Sequence, residues 1–382
     1  MPVDYSTVTS QQVERRPFAS APSKRELFLL IGISFAVMWT TIFLLHGSTS
    51  LVLQWGDNEA YRNVADAIRH WDFRNVQLQH FMGYPYFIAA FSLLFHVPTG
   101  FALWFIAVAC SAISVWLIAR MFGTLTAGYF AFANHAWVQI SYLGGSEPLA
   151  IALALGALLA FRRKRPLLAA LLGSVAVTVR PLMIFVLVGI GLVLLNRKRF
   201  REFLFAFAIS IAIGVLYAAP LARYFGDPLL NLHTYTTRDY GAVKVVGPHG
   251  RLFGWPFHGI IAGTLTYPAP WTNLLLSFLW ISIVLFGMGM MFSGRFRKFA
   301  KEYPQEGIYC GLYLIAIFSY DYLIWARSNF IRFCVPVLPY VFFALLPVLP
   351  KSRWVFWALC IASAVAAAVS AIGLRNVLAS VH

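Results

Sequence analysis

Eleven stretches of this chain stay apolar long enough to be read as helices in a hydrocarbon layer. They are 27–45, 101–120, 125–142, 148–161, 167–179, 182–195, 203–222, 271–292, 308–325, 331–349 and 354–373. A helix crossing a bilayer needs roughly 20 mostly apolar residues, so the pattern predicts an all-α polytopic membrane protein of about 11 spans. Between the first two runs the pattern changes. Tyr61, Val64, Ala65 and Ile68 recur at helical spacing, while Arg62, Asn63, Asp66, Arg69 and His70 fill the other face. That spacing predicts an amphipathic helix lying along the membrane surface. After His80-Phe81-Met82-Gly83-Tyr84-Pro85, an apolar stretch runs to Phe95. It is too short to cross and reads as a second surface or partly inserted helix.

Composition agrees: 60% hydrophobic and 12% charged residues exclude a soluble globular protein. The first apolar run follows a polar N-terminus without a small-residue cleavage site, so it reads as a retained helix and not as a removed signal peptide. The expected organisation is a polar cytoplasmic segment, 1–26, followed by one transmembrane domain, 27–382. Cys110, Cys310, Cys334 and Cys360 fall inside apolar runs and read as packing residues. No Cys/His spacing suggests zinc, and no glycine-rich phosphate loop is present.

The net charge of +16 raises the question of a polyanion partner. Its distribution answers it. With the N-terminus cytoplasmic, the eleven-span threading places 19 of the 30 basic residues and 6 of the 14 acidic ones inside. Arg162–Arg165, Arg197–Arg199 and Arg295–Lys301 all fall on that side, as the positive-inside rule requires. The basic clusters are therefore topology signals, and no nucleic-acid partner is expected. The segment 167–195 decides the threading. As one helix it would bury Arg180 near mid-bilayer, at a cost of roughly 2.5–3.5 kcal/mol. As two short helices meeting at Arg180-Pro181 it keeps both flanking basic clusters inside, with Arg180 at the floor of an outer recess.

Two long external loops result, 46–100 and 223–270, the second a possible lid. With the shorter outer connections they bring Asp57, Glu59, Glu147, Arg180, Lys244, Arg251, Arg327 and Arg332 to one face. Their meeting in a single pocket is an expectation for the structure to test.

This arrangement resembles the GT-C superfamily of integral-membrane glycosyltransferases, which includes protein O-mannosyltransferases, aminoarabinose transferases and glycosylphosphatidylinositol mannosyltransferases. The likeness rests on Asp57, Tyr61 and Ala65 in the first external loop, and on Gly83-Tyr84-Pro85. It continues with Ser146-Glu147 opening a helix, with Thr178-Val179-Arg180-Pro181, and with Arg332-Phe333 followed by Pro336 and Pro339. Two departures are plain. Many members have adjacent acids where this chain has Asp57-Asn58-Glu59, and the His-Pro-Pro of protein mannosyltransferases is here His80-Phe81-Met82. The resemblance implies transfer of a sugar, with inversion, from a polyprenyl-phosphate donor to a lipid, glycan or protein acceptor. It does not choose the subfamily.

The residue types suit that chemistry independently. A carboxylate can take the proton of an acceptor hydroxyl. A leaving phosphate needs fixed cations, and arginine grips phosphate through two parallel hydrogen bonds. Asp57 is the expected base, although it could simply cap the surface helix through the Ala60 amide. Glu59 is a second candidate, as base, sugar ligand or metal ligand. Arg180 and Arg332, then Arg327, Arg251 and Lys244, are candidates for the donor phosphate. Glu147, His80 and Tyr61 are candidates for the sugar or acceptor, although an acid opening a helix is favoured there anyway. Asp66 reads as a structural ion pair with Arg62, Arg69 or His70, and Asp321 as a partner of Arg327 or Arg332. Trp39, Trp55, Trp255 and Trp325 read as interface anchors.

No cofactor is expected; Mg or Mn would enter if Asp57 and Glu59 clamp a pyrophosphate donor. The competing readings are a transporter or lipid flippase, and a lipid-pyrophosphate-dependent polymerase or ligase. No second copy of the Arg180-Pro181 break argues for the paired broken helices of transporters. The expected location is a bacterial inner membrane with the site facing the periplasm. The endoplasmic reticulum fits less well, for want of a C-terminal retrieval signal.

Overall fold

The computed structural model describes residues 23–46, 57–73, 80–237, 252–266 and 271–379. Among these, regular structure is helical apart from one isolated bridge between Phe253 and Tyr320. Lys244, Arg251 and Trp55 lie outside the described residues, as do most of 1–26 and the centre of the 223–270 loop.

The protein is an integral membrane protein, and its helices divide by length. Lys24–His46, Thr99–Phe122, Phe200–Phe225 and Trp271–Met291 are long and apolar enough to cross a bilayer. His135–Tyr142 and Glu147–Arg162 form a further pair bent by 101°. The expected 354–373 span lies within one unbroken helix, Arg353–Ala379. The remaining expected spans are shorter or interrupted, and each interruption described below has a physical cause. The 125–142 run breaks at Asn134, whose side chain caps the next helix by accepting from the Trp137 amide at 3.0 Å. The 308–325 run stops at Phe318, because the following strand-like residues are taken by the end of the long external loop. Gly254 N donates to Ser319 O at 2.8 Å, Phe257 N to Phe318 O at 2.7 Å and Asp321 N to Leu252 O at 2.9 Å. Pro336 and Pro339 split the 331–349 run into Phe330–Phe333, a 3-10 turn at Val335–Val337 and Leu338–Leu345.

The 167–195 segment divides as the two-helix reading expects. Pro166–Val179 ends at Arg180, whose backbone is extended (φ −143°, ψ 119°), and a 3-10 turn at Pro181–Met183 leads into Ile184–Asn196. The residue before a proline is driven out of the helical region by the ring, which is why the break falls here.

The amphipathic helix forms as Asn58–His70 and buries Tyr61, Val64, Ala65 and Ala67. It packs on the Gly83–Phe95 and Thr99–Phe122 helices, so its apolar face meets protein. Asp66 accepts from Thr99 Oγ1 at 3.0 Å and pairs loosely with Arg69 at 3.9 Å. The Phe200–Phe225 helix buries only Ala206 and Leu221, a nearly all-round apolar exposure that suits a lipid-facing helix. The Trp39 ring packs on Phe35 and Trp104 at 6.0 and 6.1 Å, whereas Trp255 is 84% exposed.

One buried ion pair escaped the sequence reading. Arg162 at the end of Glu147–Arg162 donates from Nε and Nη2 to the two oxygens of Glu306, at 2.5 and 2.7 Å. Its guanidinium lies 3.9 Å from the Tyr303 ring. Two parallel bonds in a buried setting fix the pair's geometry, so Arg162 joins helices as well as marking topology.

Sidedness is open to direct test. On a background with the four native cysteines changed to alanine, a cysteine at exposed Glu59 is expected to react with an impermeant thiol reagent from outside. Cysteines at Lys164 or Lys298 are expected to react only from inside. Labelling of position 164 from outside would overturn the threading.

Candidate active site

Asp57 stands at the N-cap position of the Asn58–His70 helix, yet its side chain makes no capping bond. Its carboxylate turns instead toward Arg332 and His80. Arg332 Nη2 donates to Oδ2 at 3.2 Å, and His80 Nε2 lies 3.5 Å from Oδ1. The alternative reading of Asp57 as a simple cap therefore fails on geometry. Its side chain keeps 33% exposure, so a ligand can reach it. Burial by itself would raise the Asp57 carboxyl, but Arg332, His80 and Arg180 outweigh that and hold it below the usual carboxylate range.

Glu147 is the anion at the centre of the cluster. Its side chain is 1% exposed, and its Oε1 accepts from both Arg180 Nη2 and Arg332 Nε. A candidate for sugar or acceptor in the sequence, Glu147 here packs against two guanidinium groups. The elements explain the meeting. Arg180 projects from the break after Pro166–Val179, Glu147 opens Glu147–Arg162, and Arg332 sits in the short Phe330–Phe333 helix. Arg180 Nε also donates to Ser146 Oγ at 3.2 Å, and Ser146 Oγ lies 3.0 Å from the Tyr61 hydroxyl. The Tyr61 ring packs 5.0 Å from His80 and 5.0 Å edge-on to Tyr84. Burial, with the Asp57 charge, pushes the Tyr61 phenol up, so it remains a neutral hydrogen-bonding group.

Six of the sequence candidates thus stand in one connected cluster: Asp57, Tyr61, His80, Glu147, Arg180 and Arg332. Glu59 is exposed, and Arg327 is buried in the Leu323–Ser328 helix. Asp321, expected to meet Arg327 or Arg332, has its Oδ1 2.6 Å from His258 Nδ1. Among the described residues no three His, Cys, Asp or Glu side chains gather as a metal site.

The sequence reading assigned no supporting role to the residues that hold this cluster in place, although it singled out Gly83 and Tyr84 as part of a motif. Buried Asn58 donates to Leu143 O at 2.8 Å, tying Asp57 to the Gly-Gly-Ser-Glu turn. In that turn Gly144 has φ +110°, and a Cβ there would lie 2.4 Å from Leu103 and 2.8 Å from Asn58. Tyr84 donates to Leu103 O at 2.9 Å. Gly83 lets its helix touch the backbone of Thr178, two residues before Arg180; a Cβ would lie 2.4 Å from Thr178 C and O. Asn231 anchors His80 by donating to its carbonyl at 2.8 Å, and Tyr217 donates to Asn231 at 2.7 Å.

The Gly83 contact carries a prediction. Gly83→Ala must push two backbones apart, an overpacking worth about 1–3 kcal/mol. A fall in thermal midpoint with loss of function is expected, while Gly32→Ala, where a Cβ meets nothing within 4 Å, is expected to be neutral. A Gly83→Ala protein as stable as the parent sinks this account of the motif.

The chain superposes on ArnT from Cupriavidus metallidurans, solved in a crystal structure bound to undecaprenyl phosphate, with a TM-score of 0.50. The likeness is one of fold alone. Identity is 16%, and the match covers 86% of this chain and 62% of ArnT. The chain therefore accounts for less than two thirds of that protein's length. No protein-family model matches the sequence, and no curated protein matches it.

Proposed function

We propose that this protein is an inverting glycosyltransferase that moves a sugar from a polyprenyl-phosphate donor to a lipid, glycan or protein acceptor. The reaction is placed on the outer face of a bacterial inner membrane. The observation that supports the reading is a partly exposed carboxylate, Asp57, set in one cluster with two partly buried arginines, Arg180 and Arg332. In the proposed step the acceptor hydroxyl gives its proton to Asp57. Its oxygen bonds to the anomeric carbon from the face opposite the phosphate, and the bond from that carbon to the phosphate oxygen breaks. The electron pair stays on the phosphate, and the products are the glycosylated acceptor and polyprenyl phosphate.

Arg180 and Arg332 are the proposed phosphate ligands. Their described bonds use Nε and Nη2, which leaves Nη1 of each for the growing charge on the leaving group. Glu147 is proposed to hold the two guanidinium groups in position while the phosphate is absent. His80 and Tyr61, at the edge of the Asp57 site, are proposed to meet sugar or acceptor. Arg327, Arg251 and Lys244 remain proposals for the donor phosphate, and Glu59 remains a second candidate for base, sugar ligand or metal ligand.

The test is transfer in vitro by the purified full chain from a panel of polyprenyl-phosphate sugars, with release of polyprenyl phosphate measured. Transfer is expected to persist in excess EDTA, since the arginines supply the charge stabilisation. Loss of activity restored by Mg or Mn would reassign Asp57 to metal binding. Lipid movement across the bilayer with no glycosidic product would replace the proposal by a flippase.

A further inference from the structure

A groove of about 700 Å³ lies away from the proposed active site, between the Trp271–Met291, Gly294–Glu302 and Pro304–Phe318 helices. Its walls are apolar, and the single charged residue in its lining is Arg297. Gly307, Gly311, Leu314 and Phe318 line one face of the Pro304–Phe318 helix, as their spacing of four, three and four residues requires. Tyr309 and Tyr313 occupy the opposite face and are buried. Tyr313 lies within reach of the Arg180 and Glu147 charges, so the body of this helix separates the groove from the site.

Two features describe what the groove accepts. It is open to the side: Ile315 in its lining is 61% exposed, and a Cβ added at Gly311 would meet nothing within 4 Å. Its polar end is strongly basic. The Gly294–Glu302 helix buries Phe296 and Phe299 and carries Arg295, Arg297, Lys298 and Lys301 against a single acid, Glu302. None of the described ion pairs involves Arg297 or Lys298, and both are exposed. An apolar slot that ends on an unsatisfied cation, beside an interfacial amphipathic helix, matches an acyl chain with a negatively charged head.

We propose that this groove seats one acyl chain of an anionic phospholipid, with the lipid phosphate resting on Arg297. The site is independent of the proposed transfer reaction and would stand if that reading failed. Its helix end carries Glu306, at the opposite end of Glu147–Arg162 from the arginine cluster.

The experiment uses the full chain in bilayer nanodiscs of equimolar phosphatidylglycerol and phosphatidylcholine, followed by detergent release and native mass spectrometry. One phosphatidylglycerol is expected to stay on each chain in preference to phosphatidylcholine. Gly311→Phe fills the groove and is expected to lower its retention at least roughly tenfold, the loss of most of a chain's apolar contact. Arg297→Glu is expected to erase the preference for phosphatidylglycerol, at about fivefold for each unit of charge. If Gly311→Phe fails to fold, Ile315→Trp at the mouth of the groove carries the same expectation. Unchanged retention in the groove-filling variant, equal retention of the two lipids by the parent, or displacement of phosphatidylglycerol by undecaprenyl phosphate overturns the proposal.

Discussion

Asp57→Asn is expected to keep the fold and lose roughly 10²–10⁴ of the transfer rate, the usual contribution of a general base. The geometry makes this a clean substitution. The Asp57 side chain makes no capping bond, so the helix behind it loses nothing when the charge is removed. Its ion pair with Arg332 is one-third exposed on the Asp57 side, and such pairs contribute only about 0–1 kcal/mol. A rate loss far larger than the stability loss is therefore the signature of chemistry. Glu59→Gln is expected to be mild, because Glu59 is exposed. Near-normal turnover in Asp57→Asn with a dead Glu59→Gln would reverse the assignment.

The pH profile separates Asp57 from its neighbour His80. Arg332, His80 and Arg180 prevail over burial and hold the Asp57 carboxyl low, so the ionised form is favoured in the folded protein. Its small stabilising contribution is present above the ordinary carboxylate value of about 3.9 and is lost as pH falls through the lower folded value. kcat/KM is accordingly expected to stay flat across mildly acidic pH, with the Asp57 limb below about 3.9. A limb near 6.5, the ordinary histidine value, would make His80 the base and Asp57 the residue that orients it.

The amino-acid pattern reveals what depends on local chemistry. The amphipathic period of Tyr61, Val64 and Ala65 marks the surface helix, and the Arg180-Pro181 dipeptide marks the break, because both are enforced by residues adjacent in sequence. Charge scarcity in an apolar chain also points to Asp57, Glu147, Arg180 and Arg332, since such residues are costly to retain near a membrane. Pairing was not legible. That Asp321 meets His258, that Arg162 meets Glu306, and that Glu147 takes two guanidinium groups at once all depend on which helices lie side by side. The interruption after Phe318 was hidden for the same reason, whereas the one at Asn134 follows from a cap on Trp137, three residues away. Hydropathy stays high through both, while a distant segment or a side-chain cap takes over the backbone bonds. Gly83 was noticed as part of a motif, but its purpose, contact with the Thr178 backbone, is a tertiary fact.

Glu147→Gln is expected to cause the largest loss of stability. In the parent, Glu147 Oε1 accepts from both arginines, and the carboxylate is 1% exposed. Removing one partner of a buried ion pair typically costs about 3–5 kcal/mol, because the other charge stays buried without compensation. Here two guanidinium groups are left facing each other, although the remaining bonds to Ser146 and Asp57 soften the loss. The thermal midpoint in detergent is expected to fall by many degrees, and transfer to fall with it. A second measurement distinguishes a general packing defect from the anion deficit. If Arg180 and Arg332 form the phosphate site, polyprenyl phosphate supplies the missing negative charge. Its addition is expected to raise the thermal midpoint of Glu147→Gln by more than that of the parent, in which the same arginines are already paired. Glu147→Gln with Arg180→Gln is expected to lose this rescue, since half of the anion site is gone. Equal ligand stabilisation in the parent and in Glu147→Gln would mean that the phosphate binds elsewhere, and the arginine pair would then be a structural clamp alone.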